Sequence, residues 1–137
     1  MDDFALAPGV PNVFGLVQSE ANAIEPNKRP LSSMTPTIIL NKRNEVIWVA
    51  GASGGPRIIS GTLQASLNTL LHGMGAKRAI RHPRIHHQWV PEKLWVEGTL
   101  DPKIRQGLKE LGHQVFEIGS VGVVQGVWRD AEGTLTA

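Results

Sequence analysis

The stretch from Arg29 to Arg57 most constrains what this chain can fold into. Two short apolar runs rich in β-branched residues, Thr37–Leu40 and Val46–Ala50, flank a polar turn, which is the pattern of a buried hairpin. A glycine-rich loop, Gly51–Gly55, follows the second run directly. Because a hairpin brings its outer ends together, we expect this loop to lie at the same sheet edge as the residues that precede the first strand.

The residues that precede the first strand are Ser32 and Ser33. The sequence therefore predicts two hydroxyls and a glycine loop at one edge of the sheet, an arrangement that suits a small-ligand site. Tandem hydroxyls can donate two hydrogen bonds to a carboxylate, although capping of a turn explains them equally well. No Lys stands three residues after either serine, which excludes an S-x-x-K nucleophile.

A helix is expected to follow the glycine loop, with Pro56 as its first residue and Gly73 as its stop. The backbone N–H groups of Gly54 and Gly55 would lie at its positive end, where they could hold an anion or a developing oxyanion. Its amphipathic pattern comes from pairs spaced four residues apart: Ile58/Ile59, Thr62/Leu63, Ser66/Leu67 and Leu70/Leu71.

The remaining pattern predicts a single α/β (α+β) domain over residues 1–137. Residues 1–28 form a long irregular segment lying over a core of residues 29–137, and loops of this length tend to be functional. The expected order is strand, strand, helix, helix, strand, helix, strand, strand, with Asp101 as the N-cap of the third helix. The alternation of Val121, Val123 and Val127 with glycines indicates that one sheet face lacks cover in this chain.

Composition excludes several classes of protein. The hydrophobic content is 41% with no apolar run near the ~20 residues of a membrane span. The formal charge is only +2, and the scattered basic residues are not interleaved with aromatic ones, which argues against nucleic acid as a partner. The chain contains no cysteine, so disulfides and thiol catalysis are excluded; no signal peptide is visible, and no cofactor is indicated.

Two further motifs resemble catalytic or metal sites. Gly51–Gly55 satisfies G-x-S-x-G, with Asp101 and His113 following Ser53 in triad order, but an α/β-hydrolase needs a longer, doubly wound sheet that does not begin with a hairpin. A metal site at His82, His86 and His87 is disfavoured because Pro83 breaks the helix that would align them. We therefore interpret residues 83–89 as structural and expect no metal.

The motifs taken together resemble the small subunit of γ-glutamyltransferase, also called glutathione hydrolase. The likeness covers almost the whole chain. It is carried by Met1–Phe4, Pro8–Asn12, Pro26–Thr37, Gly51–Gly55 with Arg57–Ile59, and Pro83–Trp89.

The resemblance implies an N-terminal-nucleophile hydrolase with a stacked αββα fold, made as a precursor that cleaves itself into a large and a small subunit. In that family an N-terminal Thr attacks the γ-glutamyl amide of compounds such as glutathione, and the acyl group passes to water or an amino acid. Carried over, Ser32 and Ser33 bind the α-carboxylate, Asp3 pairs with the α-amino group, and Gly54 and Gly55 form the oxyanion hole.

The departures from the family are equally informative. The catalytic Thr, the Asn and Glu or Gln that share the amino-group contact, and the large subunit with its Arg are all absent. We therefore expect a C-terminal fragment, inactive alone, whose partners are the large subunit and the N-terminal part of the small subunit, and which self-associates when they are missing. Residues 8–19 match a lid of some members, with Phe14 in place of its latching Tyr.

Two alternatives stay open. One is a related acylase, such as a cephalosporin acylase or a poly-γ-glutamate capsule transferase. The other is a binding or structural module without catalysis. The family resemblance indicates a periplasmic or extracellular location, and a cytoplasmic one is also open.

Overall fold

The computed structural model describes residues 4–137 and shows a mixed α/β fold with two sheets, in agreement with the predicted fold class. A short 3₁₀ turn at Glu20–Asn22 is the regular helical element of the segment before the first strand. The strands and helices, in chain order, are β1 (Thr37–Leu40), β2 (Val46–Ser53), α1 (Arg57–Leu70), α2 (Ala76–Arg81), β3 (Ile85–His87), β4 (Leu94–Glu97), α3 (Pro102–Glu110), β5 (Val115–Ile118), β6 (Val123–Arg129) and β7 (Leu135–Thr136).

The predicted hairpin forms the start of a four-stranded sheet with the order β1-β2-β6-β7. Thr37 pairs with Ala50 in antiparallel register, so the residues before β1 and after β2 leave the sheet at the same edge. β2 runs on to Ser53 because its last residues pair with the start of β6. The glycine loop is therefore shorter than predicted and begins at Gly54.

The second sheet has the order β3-β4-β5, with β4 and β5 parallel and joined through α3. Asp101 caps α3 as predicted, since its carboxylate accepts a hydrogen bond from the Lys103 N–H at 2.7 Å. The strands β3 and β7 were not predicted. They have only three and two residues, and such short runs carry no readable alternation.

The predicted helix α1 exists, and one member of each of three predicted pairs is buried, namely Ile58, Thr62 and Ser66. Their neighbours Ile59, Leu63 and Leu67 are exposed. The side of α1 that faces the sheet carries small residues, and Gly61, Ala65 and Ser66 are buried there. The helix lies so close to the loop before β6 that a Cβ at Gly61 would be 2.8 Å from the Val121 carbonyl oxygen. This close approach turns the larger Leu63 side chain outward, where it is 55% exposed. The helix also ends at Leu70, before the expected stop at Gly73.

Trp48 is the largest fully buried side chain and fills the space between the four-stranded sheet and the helices. Its indole N–H donates to the Ser66 hydroxyl at 2.9 Å, and that hydroxyl donates to the Thr62 carbonyl at 2.8 Å. Both polar groups are thereby satisfied inside the core. This arrangement explains the buried serine of α1, whereas the buried Thr62 hydroxyl has no hydrogen-bond partner among the described residues.

The other face of this sheet is uncovered, as predicted. Of the three valines on which that prediction rested, Val123 and Val127 are partly exposed, whereas Val121 precedes β6 and is fully buried. Ile38, Val49 and Val127 share one row across β1, β2 and β6, and they are 66%, 40% and 38% exposed. The four-stranded sheet is thus covered by helices on one face only within residues 4–137. None of the helices within residues 4–137 is long and apolar enough to cross a membrane.

An ion pair between Arg84 and Glu97, buried on both sides, ties the second sheet to the loop before β6. The two side chains meet at 2.8 Å and are about 10% exposed or less. The Glu97 carboxylate also accepts the Arg84 N–H at 3.0 Å and the Val121 N–H at 2.8 Å. A carboxylate that accepts several hydrogen bonds, one of them from a guanidinium, fixes the positions of its donors relative to one another.

Glu97→Ala is expected to lower the free energy of unfolding by about 3–5 kcal/mol, because the Arg84 guanidinium stays buried without its partner. The matched control is Glu117→Ala, which removes an ion pair of the same 2.8 Å length to Arg105 but from a carboxylate that is 64% exposed. That change should cost less than about 1 kcal/mol. Urea unfolding of both variants checks the difference, and equal losses would contradict it.

Candidate functional site

The two predicted serines lie before β1 and differ in their surroundings. The Ser32 hydroxyl is exposed and accepts a hydrogen bond from the Met34 N–H at 3.2 Å. Ser33 is only 4% exposed, and its hydroxyl oxygen has no hydrogen-bond partner among the described residues. A buried hydroxyl without a partner costs free energy, so a ligand that supplies one would bind there favourably.

The glycine loop after β2 places two backbone donors at the start of α1. Gly54 and Gly55 both have positive φ, +133° and +61°, and their carbonyls accept the first helical N–H groups, from Arg57 and Ile58. Within residues 4–137, neither glycine N–H has an acceptor. Two unpaired donors at a helix N-terminus suit an oxyanion.

Gly122, in the loop before β6, packs against the turn formed by Gly54 and Gly55, which we call the glycine elbow. A Cβ at Gly54 would lie 3.1 Å from the Gly122 Cα, and a Cβ at Gly122 would lie 3.3 Å from the Ser53 carbonyl oxygen. The Arg84 guanidinium donates to the Gly122 carbonyl at 3.4 Å. The Arg84–Glu97 pair therefore positions the loop on which Gly54 rests. Sequence reasoning missed this support, because the glycine alternation in 119–126 was read only as strand pattern.

The contact between Phe14 and Gly55 was also not predicted from the sequence. A Cβ built at Gly55 would lie 2.5–2.9 Å from three ring atoms of Phe14, so the ring occupies the space in front of Gly55. Phe14 also lines a cavity of about 460 Å³ with other residues of 4–18. The presence of Phe14 in place of a Tyr in residues 8–19 drew attention to this position but did not indicate its contact with the glycine loop.

His86 lies close to the elbow at 3% exposure, and both of its ring nitrogens are engaged. Nδ1 lies 2.8 Å from the Ser60 hydroxyl, and Nε2 lies 2.9 Å from the Gln88 side-chain oxygen. Burial lowers the pKa of His86 below its ordinary value, opposed by the hydrogen bond to Gln88 and reinforced by the nearby Arg57 charge. The imidazole is therefore neutral near pH 7.

The other histidines of the 82–87 run are also used locally. His82 Nδ1 lies 3.2 Å from the Pro83 carbonyl oxygen, and His87 Nδ1 accepts the Trp89 N–H at 3.2 Å. Within residues 4–137, no group of three or more His, Asp or Glu side chains could hold a metal ion.

The G-x-S-x-G alternative gains no support from the geometry. Ser53 is the exposed last residue of β2, Asp101 caps α3, and the His113 ring packs against His87 at 6.3 Å. Hydrogen bonds among the described residues do not connect these three side chains. Asp3, the predicted amino-group ligand, lies outside the described residues.

Comparison with known proteins decides the family. The model of the gamma-glutamyltranspeptidase family matches residues 1–137. The chain belongs to the γ-glutamyltranspeptidase family. The family resemblance read from the motifs is therefore confirmed.

Relatives and structures agree with this assignment. The glutathione hydrolase proenzyme of Escherichia coli is 44% identical over 98% of this chain, which spans only 23% of that relative. Scoloptoxin SSD20 of Scolopendra dehaani is 41% identical, and the chain covers 70% of it. A Helicobacter pylori γ-glutamyltranspeptidase structure superposes with a TM-score of 0.90 at 40% identity, covering 98% of this chain and 74% of that one.

A more distant structure shows how far the fold extends. The Bacillus anthracis transpeptidase CapD superposes with a TM-score of 0.66 at 21% identity, covering 84% of this chain and 71% of that one. At this identity the likeness concerns the fold alone.

The lowered pKa of His86 predicts a pH dependence of stability. Between about pH 6.5, where an unfolded histidine titrates, and the lower folded pKa, the unfolded state binds the extra proton. Stability should therefore fall as the pH drops through this window, by at most about 1.4 kcal/mol per pH unit. His86→Gln should flatten that slope in urea unfolding, whereas His72→Gln, at an exposed position, should leave it unchanged. The same slope in both variants would contradict the assignment.

Proposed function

We propose that this chain supplies the donor-binding and oxyanion groups of an enzyme that hydrolyses or transfers γ-glutamyl groups. The observation that carries the proposal is the buried, unpartnered Ser33 hydroxyl at the same sheet edge as the unpaired N–H groups of Gly54 and Gly55. Family membership supports the reaction class.

The proposed roles follow the chemistry of a γ-glutamyl donor. The hydroxyls of Ser32 and Ser33 donate to its α-carboxylate, and Asp3 pairs with its α-ammonium group. The N–H groups of Gly54 and Gly55 then donate hydrogen bonds to the γ-carbonyl oxygen and stabilise the negative charge that develops on it. Donors of this type include glutathione.

The nucleophile of the proposed reaction is an N-terminal Thr hydroxyl outside residues 1–137. Its oxygen bonds to the γ-carbonyl carbon, and the resulting oxyanion is held by the two glycine N–H groups. Collapse of this intermediate breaks the amide bond and releases the amine after protonation. Water or the amine of an amino acid then attacks the acyl-enzyme, and the Thr oxygen leaves.

A second candidate is a related acylase acting on another acyl group, such as a cephalosporin acylase or a poly-γ-glutamate capsule transferase. The CapD likeness favours keeping this candidate. The serine pair favours a donor with a free carboxylate on its α-carbon. Activity on glutaryl amides without activity on γ-glutamyl amides would reverse the choice.

The proposed partners are the large subunit and the N-terminal part of the small subunit of a longer family protein. The supporting observation is the uncovered sheet row of Ile38, Val49 and Val127, opposite the helix layer. A stacked second sheet would bury this row. In the alternative of a binding module without catalysis, no nucleophile is needed, and the same uncovered row is the surface that binds a partner.

The substrate proposal is tested in a chimera in which this chain replaces the corresponding segment of the Escherichia coli relative. Ser33→Ala should lower kcat/KM for γ-glutamyl-p-nitroanilide by roughly 10- to 150-fold, because a charge-assisted hydrogen bond of about 1.5–3 kcal/mol is lost. The assay is release of p-nitroaniline under steady-state conditions.

The matched control is Ser53→Ala in the same chimera, which should retain activity. Loss of activity in this variant would instead identify Ser53 as the nucleophile. The 137-residue chain alone should release no p-nitroaniline, and release by it would contradict a nucleophile outside the chain.

The uncovered sheet row predicts self-association of the isolated chain. Val49→Lys should lower the average mass measured by light scattering, because a charge in the middle of the row opposes its burial. Leu71→Lys introduces the same charge at the exposed end of α1 and serves as the control. A stable monomer before any substitution would contradict this prediction.

A further inference from the structure

The turn at residues 12–16 reaches the glycine elbow through one side chain. The Phe14 ring lies against Gly55 so closely that a Cβ there would stand 2.5 Å from the ring. The turn itself is built on Asn12, whose side-chain oxygen accepts the N–H groups of Phe14 at 2.9 Å and Leu16 at 3.1 Å. Phe14 therefore has a defined backbone conformation at its contact with the elbow.

A single long-range side chain holds the Phe14 backbone in place. The Gln88 amide nitrogen donates to the Phe14 carbonyl at 2.8 Å and to the Val90 carbonyl at 3.1 Å. The adjacent Gly15 lies against Pro91, since a Cβ at Gly15 would be 3.0 Å from the Pro91 Cδ. The loop after β3 thus fixes the turn from one side.

The orientation of Gln88 follows from its neighbours. Because both amide hydrogens go to carbonyl oxygens, the nitrogen and oxygen of this amide cannot be exchanged. The Gln88 oxygen must then accept from His86 Nε2–H, which leaves Nδ1 to accept the Ser60 hydroxyl. A directed series of hydrogen bonds therefore runs from α1 through β3 to Phe14.

We propose that Gln88 is a positioning residue that holds the Phe14 ring against Gly55 and thereby fixes one wall of the acyl-donor site. Its amide N–H groups do the positioning, and His86 and Ser60 orient the amide. That the wall faces an acyl donor rests on the proposed function, whereas the positioning of Phe14 does not.

The first test measures amide hydrogen exchange in the 137-residue chain and needs no activity. Gln88→Leu should raise the exchange rate of peptides from residues 9–18 by roughly three- to tenfold, the loss expected for one hydrogen bond. Gln88→Glu keeps an acceptor for His86 but loses both donors, so it should give the same rise. Peptides from β2 serve as the internal reference and should not change.

The control variant is Gln106→Leu, at an exposed position of α3, where the amide donates to Glu110 at 3.0 Å. It should leave residues 9–18 unchanged. Unchanged exchange of 9–18 in Gln88→Leu, or a rise matched in β2, would overturn the positioning role. Full protection in Gln88→Glu would overturn the role of the N–H donors.

The second test uses the chimera with the Escherichia coli relative. Gln88→Leu should raise KM for γ-glutamyl-p-nitroanilide more than it lowers kcat, because a wall of the site contacts the bound donor and the transition state alike. A faster exchange of 9–18 together with an inactive parent chimera would defeat the proposed function and leave the positioning role intact. If the parent chimera is active and Gln88→Leu leaves its KM unchanged, the Phe14 ring does not form a wall of the acyl-donor site.

Discussion

The buried ion pair between Arg84 and Glu97 is the interaction on which the candidate site depends. It joins the β3-β4-β5 sheet to the loop before β6, because Glu97 holds the Val121 N–H and Arg84 holds the Gly122 carbonyl. Gly122 in turn supports Gly54 through backbone contact. Burying two charges is unfavourable unless they are paired and hydrogen-bonded, and the loop before β6 supplies one partner to each, so the loop and the ion pair stabilise one another. The Arg84 Nε has no hydrogen-bond partner among the described residues.

The glycines of the elbow serve two purposes that act together. Positive φ at Gly54 and Gly55 lets the chain turn from β2 into α1 while both N–H groups stay unpaired. The missing side chain at Gly55 leaves room for the Phe14 ring, which lies against this glycine from the N-terminal segment. Packing of the small residues of α1 against the loop before β6 brings these parts within reach of one another.

Sequence reasoning predicted the elements whose signals are local. The hairpin, the Asp101 cap and the elbow before α1 follow from neighbouring residues and are present in the structure. What it missed depends on contacts distant in sequence: the buried face of α1 is set by Gly61 meeting Val121, and the cover of Gly55 by Phe14, 41 positions away. The family motifs supplied roles for Ser32 and Ser33 that residue type alone left open.

The most direct measurement is a crystal structure of the chimera with glutamate bound. The account predicts the α-carboxylate at the Ser32 and Ser33 hydroxyls, and a γ-carboxylate oxygen about 2.7–3.1 Å from the N–H groups of Gly54 and Gly55. The Phe14 ring should still lie against Gly55. Glutamate bound away from the serines, or with its γ-carboxylate turned from the elbow, would contradict the account.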